Sequence, residues 1–319
     1  MITARGLART YASRHGTVEA VRGVDLDVEA GEIVGFLGPN GAGKTTTLRM
    51  LTTLLAPTAG TATVAGCDLR DDPVGVRRRI GYVAQSGLTL PEAQAGEEIV
   101  DHARLYGVPR AEAVARGQEL FAELDLDGLW KRKAGSMSGG QRRRLDIVMG
   151  LIHQPVLIFL DEPTSGLDPQ SRANLWQHID GLRSERGTTV FLTTHYLDEA
   201  DALCDRILVI DHGSIVAEGT PDALKRRVSG DAVTLTIAKA DQADPAVAVV
   251  ASIAGSTTPT VDGTTVRFHV PDGGSTLPEL LRRLDTAGVE LTGVEVHRPT
   301  LDDVFLSLTG RSLRDAPAI

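Results

Sequence analysis

The sequence predicts an α/β fold followed by a smaller α+β module, and three observations carry that prediction. Short continuous apolar runs at residues 156–160, 189–193 and 207–210 each lie between stretches of helical character. Strands that are apolar throughout, rather than alternating, belong to a parallel sheet covered on both faces. A fourth run at 32–37 leads straight into a glycine-rich turn, 38–43, and then a helical stretch, 44–55, with no breaker before Pro57. Beyond Gly230 the pattern changes to strand, helix, two strands split by Asp262-Gly263, helix, strand and a last short helix.

Taken in order, the first strand–turn–helix unit spans residues 28–55. From 85 to 136 the pattern turns mostly helical, with segments at 96–106 and 110–124. A helical subdomain of about residues 86–150 is therefore expected to be inserted into the α/β core. The later segments read as strand 232–237, helix 245–253, helix 277–286, strand 289–296 and helix 301–308. This βαββαβ order predicts a ferredoxin-like C-terminal module. The expected division is a first domain of residues 1–228 and a second of 229–319.

Composition sets outer bounds. The 319 residues suit two domains of unequal size, and 42% hydrophobic content permits a sizeable core. A net charge of −9 argues against a general nucleic-acid binder. Basic triplets stand at 77–79, 142–144 and 225–227, and such runs usually read as solvated faces. Cys67 and Cys204 are far apart and lack metal spacing, which suits buried thiols in a reducing compartment. Residues 1–10 are not expected to form a secretory signal, and no apolar run is long enough to span a membrane.

The chemistry is carried by three motifs. Gly38, Pro39, Asn40, Gly41, Ala42, Gly43, Lys44 and Thr45 fit the P-loop pattern G-x-x-x-x-G-K-[ST], between an expected strand and an expected helix, with Thr46 next. Glycines let main-chain N–H groups converge on phosphates at a helix N-terminus. Lys44 then reaches the β- and γ-phosphates, and the Thr45 hydroxyl ligates magnesium. The run VLIFLDEP ends a strand in Asp161, a carboxylate for that metal, and places Glu162 to polarise a water. Ser138, Gly139, Gly140 and Gln141 open a helix, and S-x-x-Q is by itself a capping box.

Ser138–Gln141, falling after the P-loop and before the strand that ends in Asp161, resembles the signature of ABC ATPases. Met137 stands where the usual LSGGQ form has leucine. The resemblance covers roughly residues 2–225 and implies a P-loop NTPase of the ABC type. It implies that Tyr11 stacks on adenine, and that Gln85 is the Q-loop residue that touches magnesium and senses a membrane partner. The stretch 165–168 resembles the D-loop; Asp168 followed by Pro169 is equally a good helix start. His195 resembles the switch histidine at the γ-phosphate.

The resemblance further implies ATP and Mg2+ as cofactors, with the metal at Thr45, Gln85 and Asp161. ATP is expected to lie between the P-loop of one copy and Ser138–Gln141 of another, hence a homodimer. A separate transmembrane permease is expected as partner, with this chain peripheral on the cytoplasmic face of the membrane. The tail at 298–305 with Leu308-Thr309-Gly310 resembles drug-exporter ATPases of the daunorubicin-resistance type, which implies export of a small molecule. Residues 93–100, AQAGEEIV, depart from the T-G-x-E-N-L stretch more usual there.

The alternative is a soluble ABC ATPase acting in DNA repair or translation. Chromosome-type relatives insert long coiled coils between P-loop and signature, whereas Lys44 and Ser138 here are 94 positions apart (138 − 44). Translation-type relatives carry two cassettes in one chain, and this chain has one. A nucleotide-binding regulator without turnover is disfavoured by Glu162 and His195.

Overall fold

The computed structural model describes residues 1–13, 16–228 and 230–310. Ser229, where the second domain was expected to open, and the tail beyond Gly310 lie outside the described residues. The chain packs as two compact units that divide between Thr220 and Pro221. This division precedes the position expected from the sequence, after Val228. Helix Pro221–Arg226 goes with the second unit because it packs against the last helix, Leu301–Thr309, and buries Leu224.

In the first unit a six-stranded sheet runs in the order Ser214–Gly219, Arg206–Asp211, Ile33–Leu37, Thr189–Thr194, Leu157–Asp161, Ile80–Val83. All neighbours are parallel except the first pair. Ile33–Leu37, Leu157–Asp161 and Thr189–Thr194 are buried at every position, which is why their sequences show no alternation. Phe191 sits at the centre, its ring centroid 5.6 Å from both Phe36 and Phe159. Between Ile80–Val83 and Leu157–Asp161 come the helices Ala95–Leu105, Arg110–Glu123 and Gly139–Leu151. In the departing stretch 93–100, Gly96 lies under the indole of Trp130, which a Cβ there would meet at 2.1 Å.

An antiparallel sheet in the order Gly16–Val28, Ile2–Ser13, Ala59–Val64, Cys67–Asp68 also belongs to this unit, and the sequence reading did not foresee it. Register shifts break the pairing of its two long strands between Ala4 and Leu7, Leu7 and Ala8, and Arg9 and Thr10. Each shift resets the two-residue alternation on which strand prediction depends.

Against the helical part, the Tyr106 ring lies flat on His153, with centroids 3.8 Å apart at 11°. His153 Nε2 is 2.8 Å from the Ile80 carbonyl oxygen. Burial pushes the imidazole down from 6.5 to about 4, against an opposing pull from that carbonyl. Between those values the unfolded chain holds a proton that the folded chain does not. Stability is therefore lost as pH falls from about 6.5 toward 4, by on the order of 3 kcal/mol from this group. Thermal unfolding from pH 6.5 to 4.5 should decline less steeply for His153→Gln than for the wild type. Identical declines would exclude the effect.

The second unit is an antiparallel sheet in the order Thr260–Asp262, Thr265–Val270, Asp231–Ile237, Leu291–His297. In chain order that is 2-3-1-4, the ferredoxin-like arrangement. Asp231–Ile237 alternates buried and half-buried positions, so one face is a core face. Val233, Leu235, Val266 and Phe268 pack there with Val250 of helix Ala243–Ala251 and Leu280 and Leu284 of helix Gly273–Thr286.

Candidate active site

The candidate residues gather at the carboxyl ends of four neighbouring parallel strands. Ile33–Leu37 leads into Gly38, Thr189–Thr194 into His195, Leu157–Asp161 into Glu162 and Ile80–Val83 into the loop of Gln85. The P-loop turns through left-handed backbone at Gly41 (φ 79°) and Gly43 (φ 108°). Side chains at Gly38 and Gly43 are excluded sterically: a Cβ would lie 2.3 Å from the Ile210 carbonyl and 2.6 Å from the Ala20 carbonyl. Gly43 caps the helix Lys44–Leu51 without any side-chain bond, so the first-turn N–H groups of Lys44, Thr45 and Thr46 face the turn. That is an anion-binding geometry.

Lys44 is buried, and its ammonium donates to the carbonyls of Gly38 (2.6 Å) and Pro39 (3.1 Å). Burial pulls its pKa down, while Glu162 and Asp161 oppose that pull. Asp161 Oδ1 accepts from Thr45 Oγ1 at 3.3 Å and from Thr193 Oγ1 at 2.6 Å. Glu162 is the meeting point. Its carboxylate accepts from Gln85 Nε2 at 2.7 Å and lies 3.2 Å from His195 Nδ1 and 3.5 Å from Lys44 Nζ. Burial pushes the Glu162 carboxyl up, but His195 and Lys44 beside it hold it below the usual carboxylate value. The residue adopts φ 45°, a left-handed conformation uncommon outside glycine, and its N–H is held by Thr193.

The other candidates stand apart from this cluster. Ser138 accepts from the Gln141 N–H at 3.2 Å and Gln141 Oε1 accepts from the Ser138 N–H at 3.0 Å, a complete capping box. Ser138 and Gly139 are exposed, and Gly140 is buried against Ser171. Among the described residues no hydrogen bond or ion pair joins Ser138–Gln141 to Gly38–Thr46. Asp168 caps the helix Pro169–Ser184 through the Ser171 N–H (2.9 Å) and hydroxyl (2.7 Å), bonds that lower its pKa. Tyr11 is exposed, with the Arg9 guanidinium 4.7 Å from its ring centre. Asn40 and Gly41 are exposed at the tip of the turn.

Two participants went unread in the sequence. Thr193 ties Asp161 to the Glu162 backbone; its only signal was a hydroxyl two positions before His195. Arg143 lies within the basic triplet 142–144 that read as a solvated face, yet it is buried. The signal against the solvated reading was its helical spacing from Ile147 and Gly150, which are buried too.

Comparisons with known proteins identify the family. Residues 21–165 match the model of the ABC transporter family. The chain is 42% identical over 316 residues to the doxorubicin resistance ATP-binding protein DrrA of Mycobacterium tuberculosis, covering 97% of this chain and 93% of that protein. It is 43% identical to the daunorubicin resistance ATP-binding protein DrrA3 of Streptomyces coeruleorubidus, covering 94% of each. A solved dimer of the ATP-binding cassette MJ0796 in a post-hydrolysis state with ADP and Pi superposes with a TM-score of 0.64 at 27% identity. It covers 69% of this chain and 98% of that one.

The chain therefore belongs to the ABC transporter family, as an ATP-binding and ATP-hydrolysing subunit that pairs with a second cassette and with a separate transmembrane permease. Within the family it is similar to the DrrA group: residues 219–309 match the C-terminal domain of DrrA1-3-like ATP-binding proteins.

Proposed function

We propose that this subunit energises export of a small, drug-like molecule from the cytoplasmic face of the membrane, with both of its ATP sites shared between two copies. The carrying observation is a separation within one chain. Lys44, Gln85, His195 and Asp161 gather around Glu162, while Ser138 and Gly139 face outward on an exposed helix N-terminus. A second copy supplies the missing wall, its helix dipole directed at the γ-phosphate. Tyr11 provides a ring for adenine, and Asp168 lies at the cassette interface. The similarity to anthracycline-resistance proteins supports the choice of cargo class. No described helix is long and apolar enough to cross a membrane, so the cargo path belongs to the permease.

The residues fit a magnesium ion. Among the described residues no group of three or more His, Cys, Asp or Glu could hold a metal alone. Thr45 Oγ1 and Asp161 Oδ1 nevertheless converge at 3.3 Å, and oxygen ligands completed by phosphates suit Mg2+. Thr45 and Asp161 would hold it, with Gln85 joining on exchange of its bond to Glu162. Such an ion would supply charge neutralisation for the phosphates. Lys44 binds and orients those phosphates. Glu162, ionised, orients the attacking water and accepts its proton; His195 steadies the Glu162 carboxylate and reaches the γ-phosphate. The loop of Gln85 carries the resulting motion outward. Leu54, Leu88 and Tyr106 expose apolar surface in a groove beside it, and we assign that groove to the permease.

A mixing experiment tests the shared site. Ser138→Arg crowds the phosphate of the partner's site and leaves its own P-loop intact, whereas Lys44→Ala damages the other wall. A mixed dimer holds one site with both lesions and one with neither. Mixing the two inactive variants, with permease supplied, should recover ATP in a closed dimer at about half the wild-type stoichiometry. If no mixture binds ATP in a closed dimer, the shared-site reading fails.

A further inference from the structure

Arg143 lies one turn into the helix Gly139–Leu151 that Ser138 caps, and only 7% of it is exposed. Its guanidinium donates to three main-chain carbonyls from three different nitrogens. Nε reaches Pro163 at 2.8 Å, Nη1 reaches Ala84 at 2.6 Å and Nη2 reaches Asp161 at 2.9 Å. Asp161 and Pro163 flank Glu162, and Ala84 precedes Gln85. On the next turn, buried Asp146 stands 4.0 Å from Arg143 Nη1 and accepts the Leu88 N–H at 2.9 Å. One helix thus grips the Q-loop at 84 and 88 and the peptide on both sides of Glu162.

That grip has work to do. Glu162 holds a left-handed backbone that a glutamate leaves readily, and its carboxylate accepts from the Gln85 amide at 2.7 Å before the site is loaded. Only a planar fork with several fixed donors satisfies carbonyls lying in three directions; a lysine ammonium is a point charge without that geometry.

We propose that Arg143 is a positioning residue for hydrolysis, setting Glu162 and Gln85 against each other through their main chains. In the shared-site dimer this gives the helix a double duty. Its exposed N-terminus meets one nucleotide, and its second turn holds the water-activating carboxylate that serves the other. Seating of a partner's nucleotide against Ser138 is thereby felt at Glu162 of the same chain. The inference rests on the roles proposed above for Glu162 and Ser138.

The test uses the purified full-length chain and measures kcat, KM, ATP affinity and thermal unfolding for Arg143→Met and Arg143→Lys, alone and with Glu162→Gln. A misplacement of about 1 Å costs on the order of 100-fold in rate. Arg143→Met should lose about that much kcat while KM and ATP affinity stay within about threefold, and Arg143→Lys should fall between it and the wild type. In the Glu162→Gln background Arg143→Met should change the residual rate by less than about threefold, because the group it positions is already gone. Wild-type kcat in a folded Arg143 variant, or a raised KM at unchanged kcat, overturns the inference. So do losses that multiply with a slow Glu162→Gln. A fully active Glu162→Gln overturns the catalytic reading of Glu162 and this inference with it. Should Arg143→Met fail to fold, Arg143→Lys decides on the same terms.

Discussion

Glu162→Gln is expected to lower kcat by about 10²- to 10⁴-fold, the range for loss of a positioned general base. The substitution keeps the size of the side chain and leaves Asp161, Thr45 and the P-loop untouched, so ATP and its metal remain bound. It also removes the anion 3.5 Å from Lys44, freeing that ammonium for phosphate. Nucleotide affinity should therefore hold or rise. With hydrolysis blocked, an ATP-bound dimer should accumulate on size-exclusion chromatography. A variant that stays monomeric and fully active would remove Glu162 from the mechanism.

Lys44→Ala should lower ATP affinity by about 100-fold or more and bring turnover to background, since truncating one partner of a desolvated charge pair costs about 2–5 kcal/mol. The loss has two parts. The phosphates lose their cation, and the carbonyls of Gly38 and Pro39 lose the donor that ties the loop to its own lysine. Glu162 loses one of the two groups that hold its carboxyl down against burial, and only His195 remains to do so. Isothermal titration with ATP and Mg2+ reads the first effect, and wild-type turnover in the purified variant would contradict it.

Much of the candidate site can be read from sequence because its parts are local. The P-loop residues, Asp161 with Glu162, and Ser138 with Gln141 are each a few consecutive positions whose chemistry survives without three-dimensional context. The buried strands were legible because parallel strands carry their signal as plain apolar runs. The order of elements in the C-terminal module was legible because Asp231–Ile237 keeps its alternation unbroken. The N-terminal antiparallel sheet was not, since bulges after Ala4, Leu7 and Arg9 scramble the period. Nor was Arg143: its partners Ala84, Asp161 and Pro163 are distant in sequence and are main-chain carbonyls, which no side-chain motif records. The domain division shifted for a similar reason. Residues 221–226 read as continuous with the first unit, and contact with Leu301–Thr309 assigns them to the second.

The strand order also dictates when this protein can come into being. Ile33–Leu37, which carries the P-loop, pairs with Thr189–Thr194 and Arg206–Asp211 and with nothing nearer in the chain. At a synthesis rate of about 5–20 residues per second, its first neighbour leaves the ribosome roughly 8–30 s after it does. Throughout that interval a wholly apolar segment has no sheet to join, and ATP has no completed pocket in which to stabilise the chain. The nascent chain needs shelter for a fully buried strand, and nucleotide can reward folding only once Thr189–Thr194 and the His195 that follows it have been made.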